Sequence, residues 1–143
     1  YANQVVPGIR ANTQNLVLVG TPSWSQLTSY GGVSGTNIGY VFHFYAGTHK
    51  EWLRAKGDYA MSKGLALFVT ECGGMNADGQ GPVDVESTQA WIEWMEENDI
   101  SYAFWSISDK KETCSMLYPS APSEGPWTDA DLSPWGQFVK EQL

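Results

Sequence analysis

The sequence is poor in charge, and above all in basic residues. Of its 143 residues 17% are charged, against about 25% in an average soluble domain. Eight are lysine or arginine and sixteen are acidic, so the formal net charge is −8. Nucleic-acid-binding proteins display clustered lysine and arginine, and here these residues are scattered. We therefore exclude nucleic acid as a partner.

Long hydrophobic runs are also missing. No stretch approaches the roughly 20 apolar residues that a membrane-spanning helix needs, so no membrane partner is predicted. No signal peptide is recognisable. The first residue is Tyr1 rather than methionine, and we expect a processed or truncated piece of a longer protein. The length suits one domain, over residues 1–143.

Cysteine and histidine are scarce, with two of each. No C-x-x-C pair and no histidine spacing typical of a metal site is present, so none is predicted. Cys72 and Cys114 are candidates for a disulfide, which would suit a secreted protein. Two free thiols in a core fit equally well, because the sequence does not fix their distance.

Short apolar segments alternate with helical patterns along the chain. Buried strands are predicted at residues 16–20, 39–45, 65–70 and 100–108. Helices are predicted within residues 1–11, at 51–63 and 84–98, and from Ser133-Pro134 onward. This alternation indicates an α/β fold with a parallel sheet. Long polar loops follow the strands, at 21–37, 46–50, 72–83 and 109–128.

Two of the helices carry more detailed predictions. Asp84 is placed to cap the helix at 84–98, and Ser133 to cap the last helix. In the helix at 51–63 the spacing places Trp52, Tyr59 and Ala60 near one face.

The strand ends carry the chemistry. In parallel α/β folds ligands bind at the carboxyl ends of the strands. The residues there are Trp24, His43, Tyr45, Glu71, Trp105 and Lys110. Each has an ordinary structural interpretation, as packing or a solvated turn. Glu71 is the hardest of them to explain by structure alone, because a carboxylate beside a buried strand must be paired or hydrogen-bonded.

The combination of aromatic rings, one carboxylate and few charges at the strand ends favours a neutral, polyhydroxylated ligand. Sugar rings present C–H faces that stack on tryptophan and tyrosine. Their hydroxyl groups hydrogen-bond histidine, tyrosine and lysine. Glycoside hydrolysis needs two carboxyl groups about the scissile bond and no cofactor, and Glu71 is a candidate for one of them.

Three motifs, in this order, resemble family-5 glycoside hydrolases of the bacterial endoglucanase (cellulase) type. They are HFYAGTH at 43–49, VTECGG at 69–74 and WSISDK at 105–110. The segments YANQVVPGIR and VGTPSWSQ fit the same family. The resemblance runs over essentially the whole chain and implies the C-terminal half of a (β/α)8 TIM barrel, with strands five to eight and their helices.

The resemblance also implies roles. The family cleaves β-1,4-glucan with retention, and Glu71 would be the nucleophile. His43 and Tyr45 would line the site, and Tyr45 would orient Glu71. Substrate would be bound by Trp105, Lys110 and Trp24. A cellulose-type polysaccharide would be the substrate, and the protein would be secreted.

Two features depart from the family pattern. Cys72 stands where the family usually has an aromatic residue, and it is one half of the possible bridge to Cys114. The family's acid/base, in an Asn-Glu-Pro motif after the fourth strand, is absent from this sequence. We therefore expect a glycoside hydrolase fragment that is inactive alone. The missing half-barrel or a homodimer would complete the fold. A dimer that uses Asp109 or Glu112 as acid, and a non-catalytic glucan-binding half-barrel, remain alternatives.

Overall fold

Four parallel strands, in chain order, form the sheet of this computed structural model, which describes residues 1–29 and 32–143. Tyr30 and Gly31, in the predicted loop 21–37, lie outside the described residues. The elements are α1 (Ala2–Arg10), β1 (Val17–Val19), α2 (Pro22–Ser25), β2 (Ile38–Tyr45), α3 (Glu51–Ser62), β3 (Leu67–Gly73), α4 (Val85–Glu97), β4 (Tyr102–Phe104), a 3-10 turn (Asp129–Asp131) and α5 (Pro134–Glu141). The predicted α/β fold with a parallel sheet is confirmed.

The strand and helix limits differ from the prediction at particular places. Strand β3 runs on to Gly73, so Glu71 lies inside the strand rather than after it. Strand β4 has three residues, and its predicted continuation to Ser108 belongs to a loop. Both helix caps are confirmed: Asp84 accepts a hydrogen bond from the Ser87 amide, and Ser133 accepts one from Gly136.

The main core lies between the sheet and helices α3 and α4. Strand β2 contributes Phe42 and Phe44, whose rings contact the fully buried indole of Trp91 from α4. Since Phe42 and Phe44 point into this core, the alternation of a strand turns His43 and Tyr45 to the opposite face. The packing of β2 therefore decides which of its side chains reach the strand-end site.

Trp52, Tyr59 and Ala60, predicted near one face of α3, do not share a face, because Ala60 alone of the three is buried. Leu53, Gly57 and Ala60 are the buried residues, whereas Trp52 and Tyr59 are exposed. The reason is steric. A Cβ atom at Gly57 would lie 2.6 Å from the ring of Trp94, so this glycine provides the space in which that indole packs.

Strand β3 contains one extra residue relative to both of its neighbours. Val41 and His43 of β2 are two residues apart, but they pair with Phe68 and Glu71, which are three apart. The pairing of β3 with β4 shifts in the same segment, between Val69 and Cys72. This irregularity is a β-bulge, which re-aims the side chains that follow it.

Candidate active site

The bulge sets the direction of Glu71. Val69 and Cys72 both belong to the main core, although residues three apart point to opposite faces of a regular strand. The extra residue lets both point inward. Glu71, next to Cys72, consequently faces away from the core and lines a cavity of about 560 Å³.

The cavity brings together most of the residues that the sequence singles out. Its described lining consists of Trp24, Ser25, Gln26, His43, Tyr45, His49, Glu71 and Ala77. Glu71 is the one carboxylate in that lining. The cavity lies at the carboxyl ends of β2 and β3, where parallel α/β folds bind ligands.

Tyr45 holds one oxygen of the carboxylate. Its hydroxyl donates a hydrogen bond of 2.8 Å to Glu71 Oε1. The ring passes over Gly73, where a Cβ atom would lie 2.7 Å from the ring carbons. Burial first, and then the hydrogen bond to Glu71, raise the pKa of Tyr45 far above its ordinary value, so the phenol stays protonated and keeps donating.

His43 lies near the other oxygen. Its Nδ1 is 3.8 Å from Glu71 Oε2, and its Nε2 is 2.7 Å from the hydroxyl oxygen of Thr70. Burial lowers the pKa of His43, and the nearby Glu71 opposes this effect only in part. The imidazole is therefore neutral at neutral pH, and the contact is not an ion pair there. The sequence did not indicate Thr70, because a threonine in a strand is ordinary.

Trp24 lies at the rim of the cavity with its side chain 85% exposed. The backbone of Ser23, Trp24 and Ser25 has φ between 53° and 58°, in the left-handed region. Residues other than glycine adopt this region at a cost of about 1–2 kcal/mol each. Such strain concentrates at ligand-binding segments. The exposed indole is thus presented by an unfavourable local conformation.

Trp105 and Lys110 lie outside this cavity. Trp105 directly follows β4, and its backbone amide donates a hydrogen bond to the carbonyl of Cys72. Its side chain is 45% exposed. Lys110 lines a second cavity of about 440 Å³, together with Glu112 and Tyr118. The roles of Trp105 and Lys110 in substrate binding stay predictions.

Of the two alternatives that the sequence left open for Cys72 and Cys114, the structure has two buried free thiols. The Cys72 thiol donates to the carbonyl of Ala103 across the sheet, and the Cys114 thiol faces the carboxylate of Glu112. Each sulfur thus has its own partner. Burial raises the pKa of both thiols, which keeps them protonated.

Two further properties concern the described residues as a whole. None of their helices combines the length and apolar character needed to cross a membrane. They contain no group of three or more histidine, cysteine or acidic side chains arranged to hold a metal ion.

Comparisons with known proteins agree on one family. A family model described as cellulase (glycosyl hydrolase family 5) matches residues 1–111. Endoglucanase A of Evansella cellulosilytica is 46% identical over 147 aligned residues, which cover 100% of this chain and 30% of the relative.

Comparison with solved structures indicates the same family. The catalytic domain of Thermobifida fusca endoglucanase Cel5A has a TM-score of 0.92 at 32% identity, over 99% of this chain and 50% of that one. A variant of that domain, with a TM-score of 0.92 at 31% identity over the same shares, has been solved with cellotetraose. The chain thus spans about half of this barrel enzyme, and its four strands form a half barrel.

Proposed function

The chain belongs to the cellulase family, glycosyl hydrolase family 5, and from this premise we propose that it is part of a retaining endo-β-1,4-glucanase in which Glu71 is the nucleophile. The observation that carries the proposal is the hydrogen bond from Tyr45 to Glu71 Oε1 inside the strand-end cavity. This hydrogen bond fixes the orientation of the Glu71 carboxylate and leaves its Oε2 atom available for attack on the sugar. The cellotetraose complex of the related Cel5A domain supports a cellulose-type glucan as the substrate. Because such a polymer lies outside the cell, we expect secretion.

The proposed reaction has two steps. Glu71 Oε2 attacks the anomeric carbon, a C–O ester bond forms, and the glycosidic C–O bond breaks while its oxygen takes a proton from an acid. Water then attacks the same carbon, gives up a proton, and releases Glu71 with the configuration retained. In the first step His43 and Tyr45 position the carboxylate, and Trp24 offers an indole face to a sugar ring.

The acid is the component that this chain does not provide in the cavity. Retaining enzymes place the second carboxyl group about 5–5.5 Å from the nucleophile. Glu71 is the one carboxylate in the described lining, and Glu112 lies in the second cavity. The family's Asn-Glu-Pro motif is absent from the sequence. We therefore propose that the other half of a barrel supplies the acid.

The edges of the sheet are where such a half would attach. Among the described residues β1 pairs only with β2, and β4 pairs only with β3. Leu16 and Leu18 on the β1 side are exposed. Open apolar strand edges are association sites. A complementary half-barrel or a second copy of this chain would cover them.

A substrate with an activated leaving group tests the nucleophile without the acid. We expect 2,4-dinitrophenyl 2-deoxy-2-fluoro-β-cellobioside to transfer its sugar to Glu71, because dinitrophenolate leaves without a proton. Mass spectrometry of the digested protein would locate the adduct on the peptide that contains Glu71. Binding to cellulose without an adduct would instead favour the non-catalytic glucan-binding half-barrel.

Replacing Tyr45 with phenylalanine tests the orientation of the carboxylate. The variant keeps the ring over Gly73 and loses the hydroxyl that bonds Glu71. A hydrogen bond to a charged group contributes about 1.5–3 kcal/mol, so adduct formation should slow by roughly 10- to 100-fold. Stopped-flow absorbance of dinitrophenolate measures the rate. A rate equal to that of the unmodified chain would contradict the role of Tyr45.

A further inference from the structure

We propose that His49 is a positioning residue, which holds Tyr45 in the orientation that directs its hydroxyl to Glu71. The inference rests on the proposed function, because it concerns the residues that orient the nucleophile. His49 is the last residue of the HFYAGTH motif, but its position in the sequence did not single it out. One histidine near a strand end is most often a satisfied core residue.

His49 forms hydrogen bonds with both backbone groups of Tyr45, the amide before its Cα atom and the carbonyl after it. The Tyr45 amide donates a hydrogen bond of 2.8 Å to His49 Nδ1. The His49 amide donates one of 2.8 Å to the Tyr45 carbonyl. Fixing the groups before and after one Cα atom restricts both backbone dihedrals, and hence the direction of the Cα–Cβ bond. The phenol hydroxyl of Tyr45 depends on that direction.

His49 is itself held in place by two helices. Its side chain is buried, and its carbonyl accepts a hydrogen bond of 2.8 Å from Trp91 Nε1 of α4. The edge of its ring meets Trp52 of α3, with ring centroids 5.7 Å apart at 73°. His49 therefore links the end of β2 to α3 through its ring and to α4 through its carbonyl.

The arrangement requires one particular protonation state. Nδ1 accepts a hydrogen bond only when it carries no proton, so the proton of the neutral ring is on Nε2. Burial and then the charge of Lys56 on α3 lower the pKa of His49, which favours this state. His43 of β2 and Glu71 of β3 line the same cavity. From α4 the uncharged Trp91 contacts the backbone carbonyl of His49.

The pH dependence follows from the sign of the shift. The pKa of His49 lies below its ordinary value of 6.5. Above 6.5 the ring is neutral in the folded and unfolded chain alike, and the hydrogen bond is fully present. As the pH falls through the lowered pKa, protonation of Nδ1 removes the acceptor and the positioning is lost.

Two substitutions separate positioning from simple packing. His49→Asn places a carbonyl oxygen close to the site of Nδ1 and does not titrate. His49→Leu fills similar space without an acceptor. Adduct formation at Glu71 should slow about 3- to 10-fold in His49→Leu and stay within about 2-fold in His49→Asn. As the pH falls below 6.5, the unmodified chain should lose a larger share of its rate than His49→Asn does.

Nuclear magnetic resonance tests the geometry independently of the reaction. In ¹⁵N-labelled protein we expect a scalar coupling between the Tyr45 amide nitrogen and His49 Nδ1. The Tyr45 hydroxyl proton should be visible in the unmodified chain and in His49→Asn, and should exchange rapidly with water in His49→Leu. Circular dichroism checks folding. Should His49→Leu not fold, the pH comparison between the unmodified chain and His49→Asn decides.

The outcomes are distinguishable. Absence of the coupling, or equal behaviour of the two variants, would overturn the role of His49. If the unmodified chain forms no adduct, the proposed function fails. The hydroxyl signal of Tyr45 in the two variants then still decides whether His49 positions Tyr45 against Glu71.

Discussion

Replacing Glu71 with glutamine is expected to slow sugar transfer from the activated fluorocellobioside by about 1,000-fold or more. An amide oxygen is a poor nucleophile, and removal of the attacking group from a catalytic set costs most of the rate. Glutamine can still accept the hydrogen bond of Tyr45, so the cavity keeps its shape. The measurement is the initial release of dinitrophenolate per mole of protein.

The matched control is Glu93→Gln. Glu93 is an exposed glutamate on the outer side of α4, and the change removes one charge from the same chain. We expect its rate to equal that of the unmodified protein. If Glu71→Gln still forms an adduct at the original rate, another group is the nucleophile and the proposed role of Glu71 is wrong.

Replacing Trp91 with alanine is expected to lower the free energy of unfolding by about 3–5 kcal/mol, the usual cost of removing a large buried aromatic side chain. The indole is fully buried, stacks on Phe44 at a centroid distance of 3.8 Å and meets Phe42 and Trp94 edge-on. Its Nε1 also bonds the carbonyl of His49. Urea unfolding followed by circular dichroism measures the change.

Two comparisons identify the origin of that loss. Trp91→Phe leaves the His49 carbonyl without its donor. Because it retains an aromatic ring in the core, it should lower the free energy of unfolding less than the alanine variant does. Trp127→Ala removes a partly exposed indole and its hydrogen bond to the Pro122 carbonyl, so it should cost far less stability than the loss of the fully buried indole of Trp91. A Trp91→Ala variant no less stable than Trp127→Ala would show that the core does not depend on this ring.

Much of the sheet could be predicted because its strands are continuous apolar runs. The segment of β2 from Tyr40 to Phe42, in which all three side chains are buried, has the composition of a strand buried within a parallel sheet. The capping residues Asp84 and Ser133 could be predicted because capping is a local property of the chain. The proximity of His43, Tyr45 and Glu71 followed from the rule that parallel strands end at the same edge.

The remainder depends on contacts that no local pattern records. The buried face of α3 is decided by the space that Gly57 leaves for Trp94, two residues 37 positions apart in the sequence. The second cavity, which Lys110 lines, is formed largely by the long loop after β4. His49 could not be assigned, because its partner is a backbone amide rather than a side chain.

The position of Glu71 is a property of the length of β3 as well as of its composition. The extra residue between Val69 and Cys72 has no counterpart in either neighbouring strand, so its removal would shift the register of β3 against both β2 and β4. A substitution in this segment changes one side chain. A one-residue deletion would instead reverse the faces of all that follows, with the carboxylate turned toward the core. We therefore expect this segment to tolerate substitutions more readily than insertions or deletions, because the site depends on the spacing of the strand.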